Sequence, residues 1–258
     1  MRKFYKKLHL SFFKKLILRI LNKIFLDKVG NQFFWNPPYD YVQNITINNI
    51  CNYLEIPRES LKEWCIVGVH LGNEINSILS KYPNLNIVGF ECSNRYIKKL
   101  KKKFFHNKRV EIVNKAISSK NGKAKFHETS LAGNGSLLEI GELSKKSYGS
   151  IQKESFLVDT TTLDDVYKNK NLDILWIDVQ GAEKLVLEGA KNTLKKIKAI
   201  FIEVSIKEGL YVDSSHMKEL NDILVDNDFK LVLLGTDFNL TGNALYINRT
   251  HLKHAVRP

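Results

Sequence analysis

The sequence predicts an α/β fold on a mainly parallel sheet, and three features carry that expectation. Short apolar runs recur at WCIVGV (64–69), NIVGFE (86–91), RVEIVN (109–114), LDILWIDV (172–179) and AIFIEV (199–204), each suited to a strand buried on both faces. Helix-like stretches separate most of them, and such alternation gives parallel strands joined by right-handed crossovers. The first run ends in GVHLG, where Gly68 and Gly72 bracket a turn that opens a helix.

Taken in order, the chain begins with a basic stretch. From Phe13 to Phe25 a helical projection puts Phe13, Ile17, Ile20, Leu21 and Ile24 on one side and Lys15, Arg19 and Asn22 on the other, the pattern of an amphipathic helix. Such a helix packs on its own protein, forms an oligomer contact or lies on an anionic membrane. Residues 31–57, with QFFWNPPYDY and then EIPRES, read as a connector and entry helix. Helices follow Gly72 to about Lys81, and Asn94 through IKKLKKKFF. The stretch from about Lys123 to Asp159 breaks the rhythm and reads as a hairpin followed by a mobile loop containing AGNGS and KKSYGS, the kind of insertion that borders an acceptor site. A further helix starts near Gly181 and carries AEKLVLEGAKNTL. SSHMKELNDILVDN supplies another with a serine N-cap, followed by strand-like FKLVLLG and ALYIN. There is no internal repeat. Residues 1–60 form the expected N-terminal extension and 61–258 the main α/β domain.

A chain of 258 residues with 43% hydrophobic and 26% charged residues and 5 prolines folds around a sizeable core and is short for two independent domains. Cys51, Cys65 and Cys92 lie singly, without a CxxC pair, which suggests neither a zinc site nor a disulfide framework and fits a reducing, cytoplasmic compartment. No run reaches the length of a spanning helix, and no small-residue cleavage site follows the lysine-interrupted start. The net charge of +13 invites a nucleic-acid reading. Residues 1–28, however, hold nine basic residues against a single acid, Asp27, so +8 of that charge sits at one end. Nucleic acid is therefore the least favoured partner, and the basic end is expected to serve peripheral membrane contact or self-association.

Three segments carry chemistry. The Gly68–Gly72 turn lets backbone approach a ligand, and the helix N-terminus behind it offers free N–H groups; an ordinary strand-to-helix connection looks the same. Glu91 ends the second strand, where a carboxylate in a nucleotide-binding α/β fold accepts the ribose hydroxyls. DILWIDVQGAE (173–183) puts Asp178 at a strand's carboxyl end and Glu183 at a helix entrance, and either acid is also accounted for by the helix macrodipole. Asp178, Glu183 and Glu203 share that edge as candidate bases. His70 is an alternative, although histidine in such a loop serves as readily in packing. No cluster has metal-ligand spacing.

The run TTLDDVYKNKNLDILWIDVQGAEKLVLEGAKNTLKKIKAIFIEV resembles the signature half of the FkbM family of S-adenosylmethionine-dependent methyltransferases, in which an LDD segment precedes an I-D-V-Q/E-G-A-E strand end. FECSNRYIKKLKKKF and VNKAISSKNGKAKF are similar to its second and third motifs, so the resemblance spans residues 62–248. It implies a class I Rossmann-like methyltransferase fold, a seven-stranded, mostly parallel sheet with a reversed last strand. It also implies O-methylation of a sugar, glycolipid or natural-product hydroxyl, and a cofactor site at Gly68, Val69, His70, Gly72, Asn73, Glu91, Cys92, Ala116 and Asp178. Where the family reads D-V-G-A-N-x-G, this chain has Ile66 for the acid and His70 for the Asn. These departures favour a second reading, a non-catalytic module whose basic arm and lysine-rich helices hold anionic polymer or membrane.

Overall fold

The computed structural model describes residues 39–236 and 240–252. The amphipathic stretch 13–25 lies outside the described residues. The chain enters with α1 (Tyr39–Leu54) and a 3-10 turn at Arg58–Ser60, then alternates β1 (Glu63–Val67), α2 (Asn73–Lys81), β2 (Asn86–Phe90), α3 (Asn94–Phe104) and β3 (Val110–Val113). A smaller sheet follows, with β4 (Ala116–Ile117), β5 (Gly122–Thr129), α4 (Glu142–Tyr148) and β6 (Gln152–Thr161). The main sheet resumes through α5 (Leu163–Val166), β7 (Ile174–Ile177), α6 (Glu183–Glu188), β8 (Ala199–Ser205), α7 (Met217–Asp226), β9 (Phe229–Thr236) and β10 (Thr241–Asn248). Seven strands lie in the order β3-β2-β1-β7-β8-β10-β9. Pairs from β3 to β8 are parallel, and β10 alone runs against both its neighbours, as the expected reversed last strand.

Alternation along each strand sorts the core into two layers. Cys65, Val67, Leu175, Ile177, Ile200 and Ile202 face one side, where Val186 of α6 and Met217, Leu220 and Leu224 of α7 cover them. Trp64, Ile66, Ile174, Trp176 and Phe201 face the other, under α1, α2 and α3. Trp176 stacks on Phe201 at 4.0 Å between ring centroids, so three neighbouring strands share an aromatic seam with Trp64. Val42, Ile50 and Leu54 of α1 belong to this second layer, and Tyr82 at the end of α2 donates its hydroxyl to Ile47 O at 2.9 Å. The helix just ahead of the expected boundary at residue 60 is thus packed into the same body as β1.

Three local expectations need correction. The insertion is not a hairpin followed by a loop: β5 and β6 pair antiparallel along their length, and residues 130–151 join them, folding much of KKSYGS into α4. The serine N-cap of α7 is replaced by His216, whose ring accepts from Lys218 N at 3.2 Å while its other nitrogen meets Ile206 O at 2.7 Å. A histidine anchored on the preceding strand end thus outcompetes two serines. The helix through AEKLVLEGAKNTL stops at Glu188, where Gly189 packs so closely on Ser118 that a Cβ there would lie 2.1 Å from its carbonyl oxygen. Asp164 then takes the N–H groups of Asn192 and Thr193 at 2.7–3.0 Å.

At the opposite edge of the sheet from the strand carboxyl ends, Asp173 accepts from Lys62 N at 2.7 Å and Glu63 N at 3.1 Å and pairs with Lys198, fixing where β1, β7 and β8 begin. Removing it in Asp173→Ala strands two backbone donors and a partly covered ammonium. We expect a loss of about 2–4 kcal/mol in urea unfolding; a loss under about 0.5 kcal/mol would show that the strands align without it.

Candidate active site

The carboxyl ends of β1, β2, β7 and β8 face a cavity of about 570 Å³ roofed by the β5–β6 insertion and the loop after β8, the place where open α/β sheets bind ligands. Two turns meet at its floor. Gly68 has φ of +90° and lies so close to the β7 strand end that a Cβ would stand 1.8 Å from the Asp178 carbonyl oxygen. Any side chain at 68 would push the turns apart. Asp178 N in turn donates to Val67 O at 2.9 Å.

One end of the cavity is organised by Glu91. Its two oxygens accept from His70 N at 2.8 Å and Ser93 N at 2.7 Å, and the Ser93 hydroxyl donates to Glu128 of β5. Burial outweighs these hydrogen bonds and pushes the Glu91 carboxyl up to about 7. His70 occupies a left-handed backbone position, φ +52°, which explains the residue type: Asn, Asp and His tolerate that region better than other side chains. Its ring meets Tyr96 edge-on at 4.4 Å, and burial lowers its basicity. Among the described residues the buried Nε2 has no partner, and it belongs to a residue lining the cavity.

The other end is a network of four side chains. Gln180, at φ +57°, directs its amide nitrogen at both Asp178 Oδ1 (2.8 Å) and Glu203 Oε2 (2.7 Å). Its amide oxygen stands 3.0 Å from the Tyr211 hydroxyl, which is also 3.1 Å from Asn134 O; the single phenolic proton serves one of them at a time. Burial raises Asp178 above the usual carboxylate range, while hydrogen bonds from Gln180 and with Glu203 oppose it. Two carboxyls bonded to each other hold one proton between them, so they titrate as a pair.

Between the two ends runs the strap Leu131–Gly135. Gly133 N donates to the Tyr96 hydroxyl at 3.1 Å, and Asn134 O accepts at the Tyr211 end. A Cβ on Gly133 would touch the His70 ring at 3.4 Å.

Of the residues expected from sequence, Gly68, His70, Glu91, Cys92, Ala116, Asp178 and Glu203 line the cavity. Val69, Gly72, Asn73 and Glu183 do not. Val69 is buried beneath the turn, Gly72 packs against Phe104 and Ile75, and Asn73 is exposed. Glu183 accepts from Val179 N at 3.2 Å and Gly181 N at 3.1 Å. Enclosed there, its carboxyl is pushed up to about 7, and it closes the turn instead of facing the cavity. Ile66 lies fully buried in the layer under α2, so the exchange of the family's acid leaves the cavity's own carboxylates in place. Sequence reasoning missed Gln180, Tyr211, Tyr96 and Glu128, whereas the strap carries part of the AGNGS insertion expected to border an acceptor site. Gln180 stood inside the quoted motif; Tyr211 and Glu128 sit in segments with no motif at all. Among the described residues no group of His, Cys, Asp and Glu could hold a metal ion, and no helix is long and apolar enough to cross a membrane.

The site fits the expected cofactor on its own geometry: a side-chain-free cradle at Gly68, a carboxylate at the second strand end, and an unpartnered histidine nitrogen beside them. The 2-O-methyltransferase NoeI of Sinorhizobium fredii is 26% identical over 168 residues, 61% of this chain and 69% of that protein. Among solved structures, the METTL16 methyltransferase domain matches with a TM-score of 0.48 at 11% identity, covering 84% of this chain and 73% of that one. The Haemophilus influenzae protein HI0767 gives 0.46 at 14% identity, covering 82% and 99%. A family model, the methyltransferase FkbM domain, matches residues 67–231, well over half of the chain. The chain belongs to the FkbM methyltransferase family, and it is an enzyme whose cofactor is S-adenosylmethionine.

Proposed function

We propose that this enzyme methylates a hydroxyl of a sugar, glycan or small natural product, with the Asp178–Glu203 pair as the base. The observation that carries the reading is that pair, held on one amide of Gln180 beside the Gly68 turn. NoeI, named a 2-O-methyltransferase, supports a hydroxyl acceptor.

When bound, the cofactor supplies a methyl group made electrophilic by its sulfonium. The protein must then place an acceptor oxygen and take its proton. Glu91 would hold the ribose hydroxyls, and His70 Nε2 would gain a hydrogen-bond partner from the ligand. Asp178, at the strand end nearest the Gly68 turn, takes the hydroxyl proton. Gln180 keeps Asp178 and Glu203 together, and Tyr211 fixes which way the amide points. Leu210, Tyr148 and Thr241 line the same region and would surround the acceptor. The buried free cysteines suit a cytoplasmic setting, and residues 1–28 would serve location or self-association.

Asp178→Asn keeps the shape but cannot accept the proton. Turnover with methyl glycosides as acceptors should fall about 10²-fold or more with the melting temperature preserved; full activity in the folded variant would exclude Asp178 as the base. Tyr211→Phe should cost less, about tenfold, and shift the acid limb of the pH–rate profile, because the amide loses the partner that orients it. An unshifted profile would make Tyr211 a packing residue.

Ribose hydroxyls donate best to an ionised carboxylate. Affinity for the cofactor should therefore rise as the pH passes through the Glu91 value of about 7. Stability without ligand runs the other way. A carboxyl raised on folding is most stable protonated, so stability is full below its unfolded value of about 4.3 and falls until the pH passes about 7. Glu91→Gln should remove the affinity dependence, take Glu91's share out of a stability dependence that Glu183 continues to contribute, and weaken cofactor binding by about 1–3 kcal/mol in calorimetry. A wild-type-like dissociation constant at pH 8 would remove Glu91 from the ribose site.

A further inference from the structure

The helix α3 has one face the catalytic reading does not use. Tyr96, Ile97, Leu100 and Phe104 point into the core, which turns Arg95, Lys98, Lys99, Lys101 and Lys102 outward, all exposed. Phe105, one residue past the helix and still in helical conformation, falls on that same outer face and is 79% exposed, the most exposed large apolar side chain among the described residues. No acid occurs from residue 94 to 110, and among the described residues no carboxylate pairs with these five cations. Lys103 is different: its ammonium is spent on Leu71 O at 2.8 Å and Gly72 O at 3.0 Å.

Five like charges on one short face repel each other, and a phenylalanine among them gains nothing from water. We propose that this face docks the enzyme on an anionic phospholipid surface, with the lysines against the headgroups and Phe105 entering between them. Charge complementarity favours that occupant. Four of the five cations are lysines, hydrated point charges suited to diffuse attraction, and not the arginine forks that read phosphates bidentately. The face is convex and offers one aromatic ring, whereas single-stranded nucleic acid is held in grooves with a series of stacking rings. Residues 1–28, with a net +8, give the chain a second basic segment, and two weak membrane signals add where one is marginal.

The test uses the full chain in flotation with vesicles of equal parts phosphatidylglycerol and phosphatidylcholine, against phosphatidylcholine alone. Binding should require phosphatidylglycerol and weaken with salt. Lys98→Glu with Lys102→Glu should lower the partition coefficient about tenfold or more. Phe105→Ser should lower it about fivefold, the scale of withdrawing one aromatic side chain, without changing the salt slope. Melting temperature and cofactor affinity should stay as in wild type, since none of these residues lines the cavity. The proposal is overturned if phosphatidylglycerol vesicles are not bound. It is equally overturned if neither variant changes their binding, or if the lysine variant abolishes retention of a single-stranded RNA while vesicle binding persists.

Discussion

The cavity depends on one contact: the backbone of Gly68 pressed against the Asp178 carbonyl. Parallel strands end level with each other, and whatever follows them competes for the space above the sheet. Here the first turn, lacking a side chain, drops under the second. That places Glu91 and His70 on one flank and Asp178 with Gln180 on the other. The approach leaves no slack, so the two halves of the site cannot drift apart independently.

The electrostatics follow from the same crowding. Glu91, Asp178 and Glu183 lie near one sheet edge and are all raised by burial, yet each is managed differently. Glu91 and Glu183 spend their oxygens on backbone N–H groups. Asp178 is left with an amide and a second carboxyl. Two of the three acids close backbone turns, and the third is held by side chains.

Much of this fold was legible in the residues. The apolar runs at 64–69, 86–91, 172–179 and 199–204 became β1, β2, β7 and β8 because strands buried on both faces leave continuous hydrophobic runs. Glu91 and Asp178 were found because strand-end acids have a fixed address in this architecture. Local competition was harder to read. His216 against two serines for one cap, or Gly189 against a helix that propensity would continue, is decided by contacts distant in sequence. Glu183 looked as reactive as Asp178, since nothing in the motif says which acid turns back onto its own backbone. Tyr211 was invisible for a related reason: its partners lie 31 and 77 residues away.

Gly133 and Asn134 are neighbours in the chain, yet one is bonded towards the His70–Tyr96 end of the cavity and the other towards the Tyr211–Gln180 end. Each bond contributes only about 1 kcal/mol net, and the flanking glycines add little steric resistance. A peptide unit fastened at both sides cannot swing away from one end without loosening the other. The two ends of the cavity are therefore joined through a single peptide unit, and a change in the strap's position at one end reaches the other within one residue.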